Sequence, residues 1–202
     1  MLGGKLEPAW ILDAYAHGIF PWPIFGGRLA WWSPDPRAIF ELDGFHISRS
    51  LARTCRRVKF EVTRNRDFAG VMLGCATAQD RRRATWITKP LMAAYQRVHE
   101  LGHAHSIEVW HDGRLAGGTY GIALGGLFAA ESMFHYVTDA SKVALVHLVH
   151  HLRDRGYQLM DIQQLTPHTA SLGAIEIPRR EYLRRLDVAC AAEVTFESAP
   201  AD

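Results

Sequence analysis

The chain has 202 residues, 48% of them hydrophobic and 22% charged, with a formal net charge of +2. That balance supports a globular unit with a sizeable core, and it excludes a disordered or collagen-like polymer and a uniformly basic polyanion binder. Three cysteines, Cys55, Cys75 and Cys190, form no C-x-x-C pair, which argues against a disulfide framework or zinc knuckle and for a reducing, cytoplasmic compartment.

Residues 1–5 lack the apolar segment of a signal peptide, and no apolar run approaches a bilayer span. Residues 8–17 read as a short helix, with Pro8 in its first turn, Trp10, Ile11, Ala14 and Tyr15 on one face, and Gly18 at its exit. The stretches 18–23 and 31–37 are too proline-rich for helices or central strands, so an aromatic N-terminal subdomain is expected over residues 1–38, followed by the main domain over 39–202. Residues 48–56 read as a helix capped by Ser48, and Val58, Phe60 and Val62 alternate as in a strand. Residues 67–76 and 89–101 read as helices, the second starting after Thr88 and ending before Gly102. Residues 107–110 and 115–123 read as a hairpin around Asp112-Gly113. Gly125-Gly126 turns into a strand over 127–131. Residues 140–154 form the clearest helix, stopped by Gly156, and residues 157–163 the following strand. The pattern is α+β.

Several clusters carry chemistry. Arg49, Arg53, Arg56, Arg57 and Lys59 group together, as do Arg81, Arg82 and Arg83; each is either a solvated face or a phosphate-holding patch. His99-Glu100-Leu101-Gly102-His103 matches H-E-x-x-H literally, but the helix should end inside it, and Ser106 and Val109 stand where the extended metalloprotease pattern needs glycine and histidine. A histidine-rich helix end, favoured by the helix dipole, is the simpler account. Asp161 and Gln163 lie two apart on a strand and should share a face, either as a buried hydrogen-bonded pair or as site groups. Glu131 is expected at a strand end entering a loop, a frequent site position and equally a frequent surface one. Trp22, Trp31, Trp32, Trp86 and Tyr95 are either core or a stacking platform for an unpaired base.

Seven ordered segments together resemble one family. They are Gly18-Ile19-Phe20-Pro21-Trp22; Trp31-Trp32-Ser33-Pro34-Asp35-Pro36-Arg37; His46-Ile47-Ser48-Arg49-Ser50; Thr85-Trp86-Ile87-Thr88; the stretch 101–110; Glu131-Ser132-Met133-Phe134; and the stretch 168–174 followed by Ile177-Pro178-Arg179-Arg180. From about residue 3 to about residue 185 the chain resembles the leucyl/phenylalanyl-tRNA–protein transferases, whose members typically carry a longer segment before the Gly3-Gly4 region. The resemblance implies a GNAT-type acyltransferase domain with a small N-terminal subdomain. The family is cytoplasmic, usually monomeric, and needs no metal, acyl-CoA or other cofactor. It moves leucine or phenylalanine, sometimes methionine, from aminoacyl-tRNA to proteins with N-terminal arginine or lysine, marking them for degradation.

Carried over by position, the resemblance places Trp22, Trp86 and Tyr95 at the 3′-terminal adenosine and its aminoacyl group. It places Phe128, Leu148 and Met160 around the amino-acid side chain, Glu131, Asp161 and Gln163 at the polar centre, and Arg49, Arg53 and Arg56 on the tRNA acceptor stem. Thr166 stands where asparagine is usual, Thr119 where a more apolar residue is usual, and Leu148 where an aromatic one is usual. In this reading Asp161 leads the proton away from the acceptor amine, acting through or alongside Gln163, while Glu131 orients that amine. Three other functions compete: an acyl-CoA acetyltransferase, a zinc hydrolase through His99 and His103, and a non-catalytic tRNA-binding module. The first needs a pyrophosphate-cradling loop running into a helix, and Arg114-Leu115-Ala116-Gly117-Gly118-Thr119 lies in a hairpin strand instead.

Overall fold

A computed structural model describes residues 2–24, 28–57, 60–78 and 85–197. Helix α1 (Pro8–Ala16) leads into a two-stranded antiparallel sheet of β1 (Phe20–Ile24) and β2 (Arg28–Trp32). Seven further strands make the main sheet: β3 (Arg37–Phe40), β4 (Glu61–Arg64), β5 (Ala104–His111), β6 (Arg114–Leu124), β7 (Leu127–His135), β8 (Leu159–Gln163) and β9 (Ile175–Ile177), in the order β4-β5-β6-β7-β8-β3-β9. The pairs are antiparallel except β7 with β8, which are joined by the crossover helix α5 (Ala140–Arg155). The remaining helices are α2 (Arg49–Arg57), α3 (Phe68–Thr77), α4 (Lys89–Glu100), α6 (Pro167–Ala170) and α7 (Arg179–Cys190). The architecture is α+β.

Local chemistry accounts for the elements. Ser48 Oγ accepts the backbone N–H of Leu51 at the start of α2, and Thr88 accepts that of Leu91 in α4; each satisfies an amide the helix cannot. Asp112 and Gly113 both have positive φ, 50° and 71°, the two-residue turn whose twist suits a hairpin. Strand residues 20–24 and 28–32 pair with each other in a two-stranded sheet, where Pro21 and Pro23 interrupt no central ladder. Val58 lies outside the described residues, and β4 begins at Glu61.

Alternation along β7 separates the two faces of the sheet. Phe128 packs with Val143, Leu148, Val149 and Met160 under α5, and α2 adds Leu51 to that core. Ala129 faces the other way, with Ile11, Tyr15, Val71, Leu91 and Tyr95 of α1, α3 and α4. Leu127, Ile39 and Leu159 meet α7 through Tyr182 and Leu186. β3 begins at Arg37 and pairs with both β8 and β9, so Arg37 and Ala38 of the expected 1–38 segment lie in the large sheet. No helix among the described residues is long and apolar enough to cross a membrane.

Candidate active site

The parallel ladder between β7 and β8 ends at Ala129–Asp161. Just beyond it each strand carries a bulge. Tyr120 pairs with Ser132 and Gly121 with Ala130, leaving Glu131 as the extra residue of β7. Ala38 pairs with Gln163 and Ile39 with Asp161, leaving Ile162 as the extra residue of β8. A bulge re-aims the side chains beside it. Opposite the first bulge only glycine fits, because a Cβ on Gly121 would meet the Ala129 carbonyl at 2.3 Å. A strand expected to stop at residue 131 instead runs to His135, so Glu131 sits within β7 rather than at its end.

These bulges open onto a cavity of about 730 Å³, within the range of small-molecule sites. Trp22, Trp86, Thr119, Glu131, Gln163 and Thr166 all line it, as do Met133, Leu145 and Ile162. Its aromatic rim is a stacked pair: the rings of Trp22 and Trp86 lie 4.8 Å apart and 14° from parallel, and Trp22 is 38% exposed. Thr119 Oγ1 donates to the Ser132 carbonyl at 3.0 Å, which engages the hydroxyl proton. Thr166 is used by its own backbone, sharing a capping box with Thr169 at the start of α6.

Gln163 has φ 61°, an uncommon conformation for a residue with a side chain. Its Nε2 donates to Glu131 Oε1 at 2.9 Å. The other carboxyl oxygen of Glu131 accepts Tyr95 Oη at 3.5 Å, and Tyr95 Oη is 2.6 Å from Tyr15 Oη. Burial, aided by the nearby Asp161 charge and opposed by hydrogen bonds from Tyr15 and Tyr95, pushes Glu131 up to about 8. At neutral pH the protonated carboxyl is therefore well populated beside the carboxylate.

Asp161 does not reach the cavity. It is fully buried behind Gln163, and four donors occupy it: Arg37 Nε on Oδ1 at 2.9 Å, Arg37 Nη2 on Oδ2 at 2.6 Å, Tyr182 Oη on Oδ2 at 2.9 Å, and the Gln163 backbone N–H on Oδ1 at 2.9 Å. A carboxylate so enclosed cannot take a proton directly from a substrate. Burial disfavours the Arg37 charge, but Asp161 outweighs it and raises the guanidinium's pKa.

The structure also moves four side chains off the cavity wall. Phe128, Leu148 and Met160 are at most 1% exposed and belong to the core beneath α5, and Tyr95 is wholly buried behind Glu131. Their places on the wall fall to residues the sequence reading did not single out. Met133 lies two residues beyond Glu131 on β7, and Leu145 lies one helical turn beyond Ser141 on α5. Strand parity does not reach Met133, because the bulge at Glu131 resets the alternation, whereas Leu145 follows from helical spacing along α5. Arg37 and Tyr182 carried no such signal, since their partner Asp161 is 124 and 21 residues away.

Arg49, Arg53 and Arg56 are exposed on α2, spaced to form one face, and α2 packs on α5. Lys59 and residues 81–83 lie outside the described residues. His99 has ordinary structural work: it stacks on Phe68 at 4.3 Å and its Nδ1 lies 2.7 Å from the Ala104 carbonyl oxygen. No group of three metal-ligating side chains occurs among the described residues. The run 114–119 lies inside the continuous strand β6, without the loop into a helix that cradles a pyrophosphate.

Comparison with known proteins gives a consistent result. Residues 39–187 match the family model described as leucyl/phenylalanyl-tRNA protein transferase, and residues 4–35 the model of that family's N-terminal domain. A leucyl/phenylalanyl-tRNA–protein transferase of Chromohalobacter salexigens is 51% identical over 98% of this chain and 78% of its own. One of Shigella sonnei is 53% identical over 92% of this chain and 79% of its own. Among solved structures, a GCN5-related N-acetyltransferase-like protein from Streptococcus suis aligns with a TM-score of 0.40 and 13% identity, over 84% of this chain and 63% of its own. That overlap is too distant to carry an argument about chemistry.

Proposed function

From the premise that this chain belongs to the leucyl/phenylalanyl-tRNA–protein transferase family, and is thus an enzyme of aminoacyl transfer from tRNA to protein, we propose a specific division of labour. The GNAT-type α+β domain takes leucine or phenylalanine, sometimes methionine, from charged tRNA onto an N-terminal arginine or lysine. The products enter N-degron degradation, the compartment is the cytoplasm, and the working unit is a monomer. The observation that carries this reading is the placement of Gln163 and Glu131, hydrogen-bonded to each other, on the wall of a cavity rimmed by two stacked tryptophans.

The terminal adenine stacks on the Trp22–Trp86 pair, and the aminoacyl side chain enters among Met133, Leu145 and Ile162. Such a wall separates side chains by shape, and a methylene is worth only about 1–3 kcal/mol there, so leucine and phenylalanine are both accepted. Arg49, Arg53 and Arg56 hold the acceptor-stem phosphates, which positions the tRNA without reading its sequence.

The ester is already activated, and no cofactor enters the reaction. The α-amine of the acceptor has an ordinary pKa of roughly 7.7–8.0. Glu131, pushed up to about 8, is matched to it, and a base near the working pH transfers protons efficiently. Gln163 orients the amine, and its nitrogen attacks the ester carbonyl carbon. The C–N bond forms as the bond to the ribose oxygen breaks; the ionised fraction of Glu131 takes the amine proton and returns it to the departing oxygen. Asp161 takes no proton from the substrate directly and acts through Gln163, whose backbone N–H it accepts.

The test is transfer of labelled leucine from charged tRNA to a peptide beginning with arginine, beside the same peptide beginning with alanine. Label on the first and not the second is expected. No transfer to either, by protein that binds charged tRNA, would leave only a tRNA-binding module.

A further inference from the structure

We infer that Arg37 is a positioning residue for the transfer step, acting through Asp161 to fix Gln163; the inference rests on the role given to Gln163 and Glu131 above. Arg37 is fully buried, and every face of its guanidinium is used. Two nitrogens fork onto Asp161, and a third donates to the Gly18 carbonyl at 2.9 Å. Its flat sides are covered by the rings of Phe20 and Tyr182, 4.9 and 4.5 Å from their centroids.

A buried pair of this kind is a poor device for stability, because an apolar pair of equal volume often does as well. What it adds is orientation. The fork and the Tyr182 hydroxyl fix the plane of the Asp161 carboxylate, so that Oδ1 stands where the Gln163 backbone N–H donates. That bond holds Gln163 at φ 61°, a conformation that costs free energy and needs support. Released from it, Gln163 would relax toward extended backbone and carry its amide away from Glu131. The grip on Gly18 restrains the chain two residues before Phe20, at the start of the strand that bears Trp22. One guanidinium thereby sets both the polar centre and the aromatic rim. Lysine keeps the charge but has no fork and no flat face, so it cannot do this.

The test compares Arg37→Lys, Tyr182→Phe, Gln163→Ala and Arg37→Lys/Gln163→Ala in steady-state transfer, with Tm measured for each. Arg37→Lys is expected to lower kcat by about ten- to a hundredfold with little change in KM for charged tRNA. In the Gln163→Ala background the same change should cost almost nothing further, which a merely structural role would not produce. Tyr182→Phe removes one donor without stranding a charge; it should lower kcat less, again only when Gln163 is present, and it decides the matter if Arg37→Lys does not fold. An impaired Gln163→Ala beside a fully active Arg37→Lys, or full additivity in the double variant, overturns the Arg37 assignment alone. A fully active Gln163→Ala overturns the site reading beneath it.

Discussion

The arginines of α2 and Arg37 of β3 carry the same group into opposite surroundings. Arg49, Arg53 and Arg56 project into water from one helical face. There a guanidinium stays hydrated, is screened by salt, and can meet a phosphate with little reorganisation. Arg37 has no exposed surface; its charge is cancelled by Asp161 and its directions are set by Asp161, Gly18, Phe20 and Tyr182. The first arrangement supplies attraction without precise geometry, and the second supplies geometry at a distance from the substrate. On the function proposed above, a transferase that must seize a long polyanion and then align one amine with one ester would use both.

The contrast can be broken most forcefully at Arg37. Arg37→Ala strands the Asp161 carboxylate in the core and should cost about 3–5 kcal/mol of stability, read by urea denaturation and nearly independent of salt; a loss that faded with added salt would put the pair at the surface. Glu131 sharpens the comparison next, as a half-buried group with no full counter-charge. Its carboxyl holds its proton more tightly folded, at about 8, than at its ordinary 4.5. Stability from that proton is intact below about 4.5 and is lost as pH rises through about 8. The wild type should therefore weaken relative to Glu131→Gln across that window, and parallel stability curves would refute the shift. Trp86→Ala should weaken binding of charged tRNA by about 1–3 kcal/mol, the worth of one stacked base, while leaving the salt dependence unchanged. Arg49→Ala should do the reverse: a smaller defect, largest at low salt, with the slope of log K against log[salt] reduced by roughly 0.7–0.9 for one lost phosphate contact. An unchanged slope would remove α2 from the tRNA interface.

The elements with strong local signals were legible in the sequence. The helix over 140–154, the Asp112-Gly113 turn and the caps at Ser48 and Thr88 all follow from spacing and from short-range hydrogen bonds. The site was legible as a set of segments and less so as a surface. Alternation says that Phe128 and Met160 share a face, but not that α5 seals that face at their level and leaves it open beside Ile162 and Leu145. A bulge breaks the alternation on which such reasoning depends, and two of them fall at Glu131 and Ile162. Asp161 read equally well as a buried partner or as a base; the arginine that decides between them is 124 residues away in sequence.

The tryptophan stack at the rim has a spectroscopic consequence. Two indoles held 4.8 Å apart and nearly parallel absorb as a coupled pair, so the chain carries its own optical reporter at the mouth of the cavity. A purine that settles on the outer ring leaves that coupling intact, whereas one that wedges between the rings abolishes it. Circular dichroism in the indole bands can thus tell a platform from a clamp without any label.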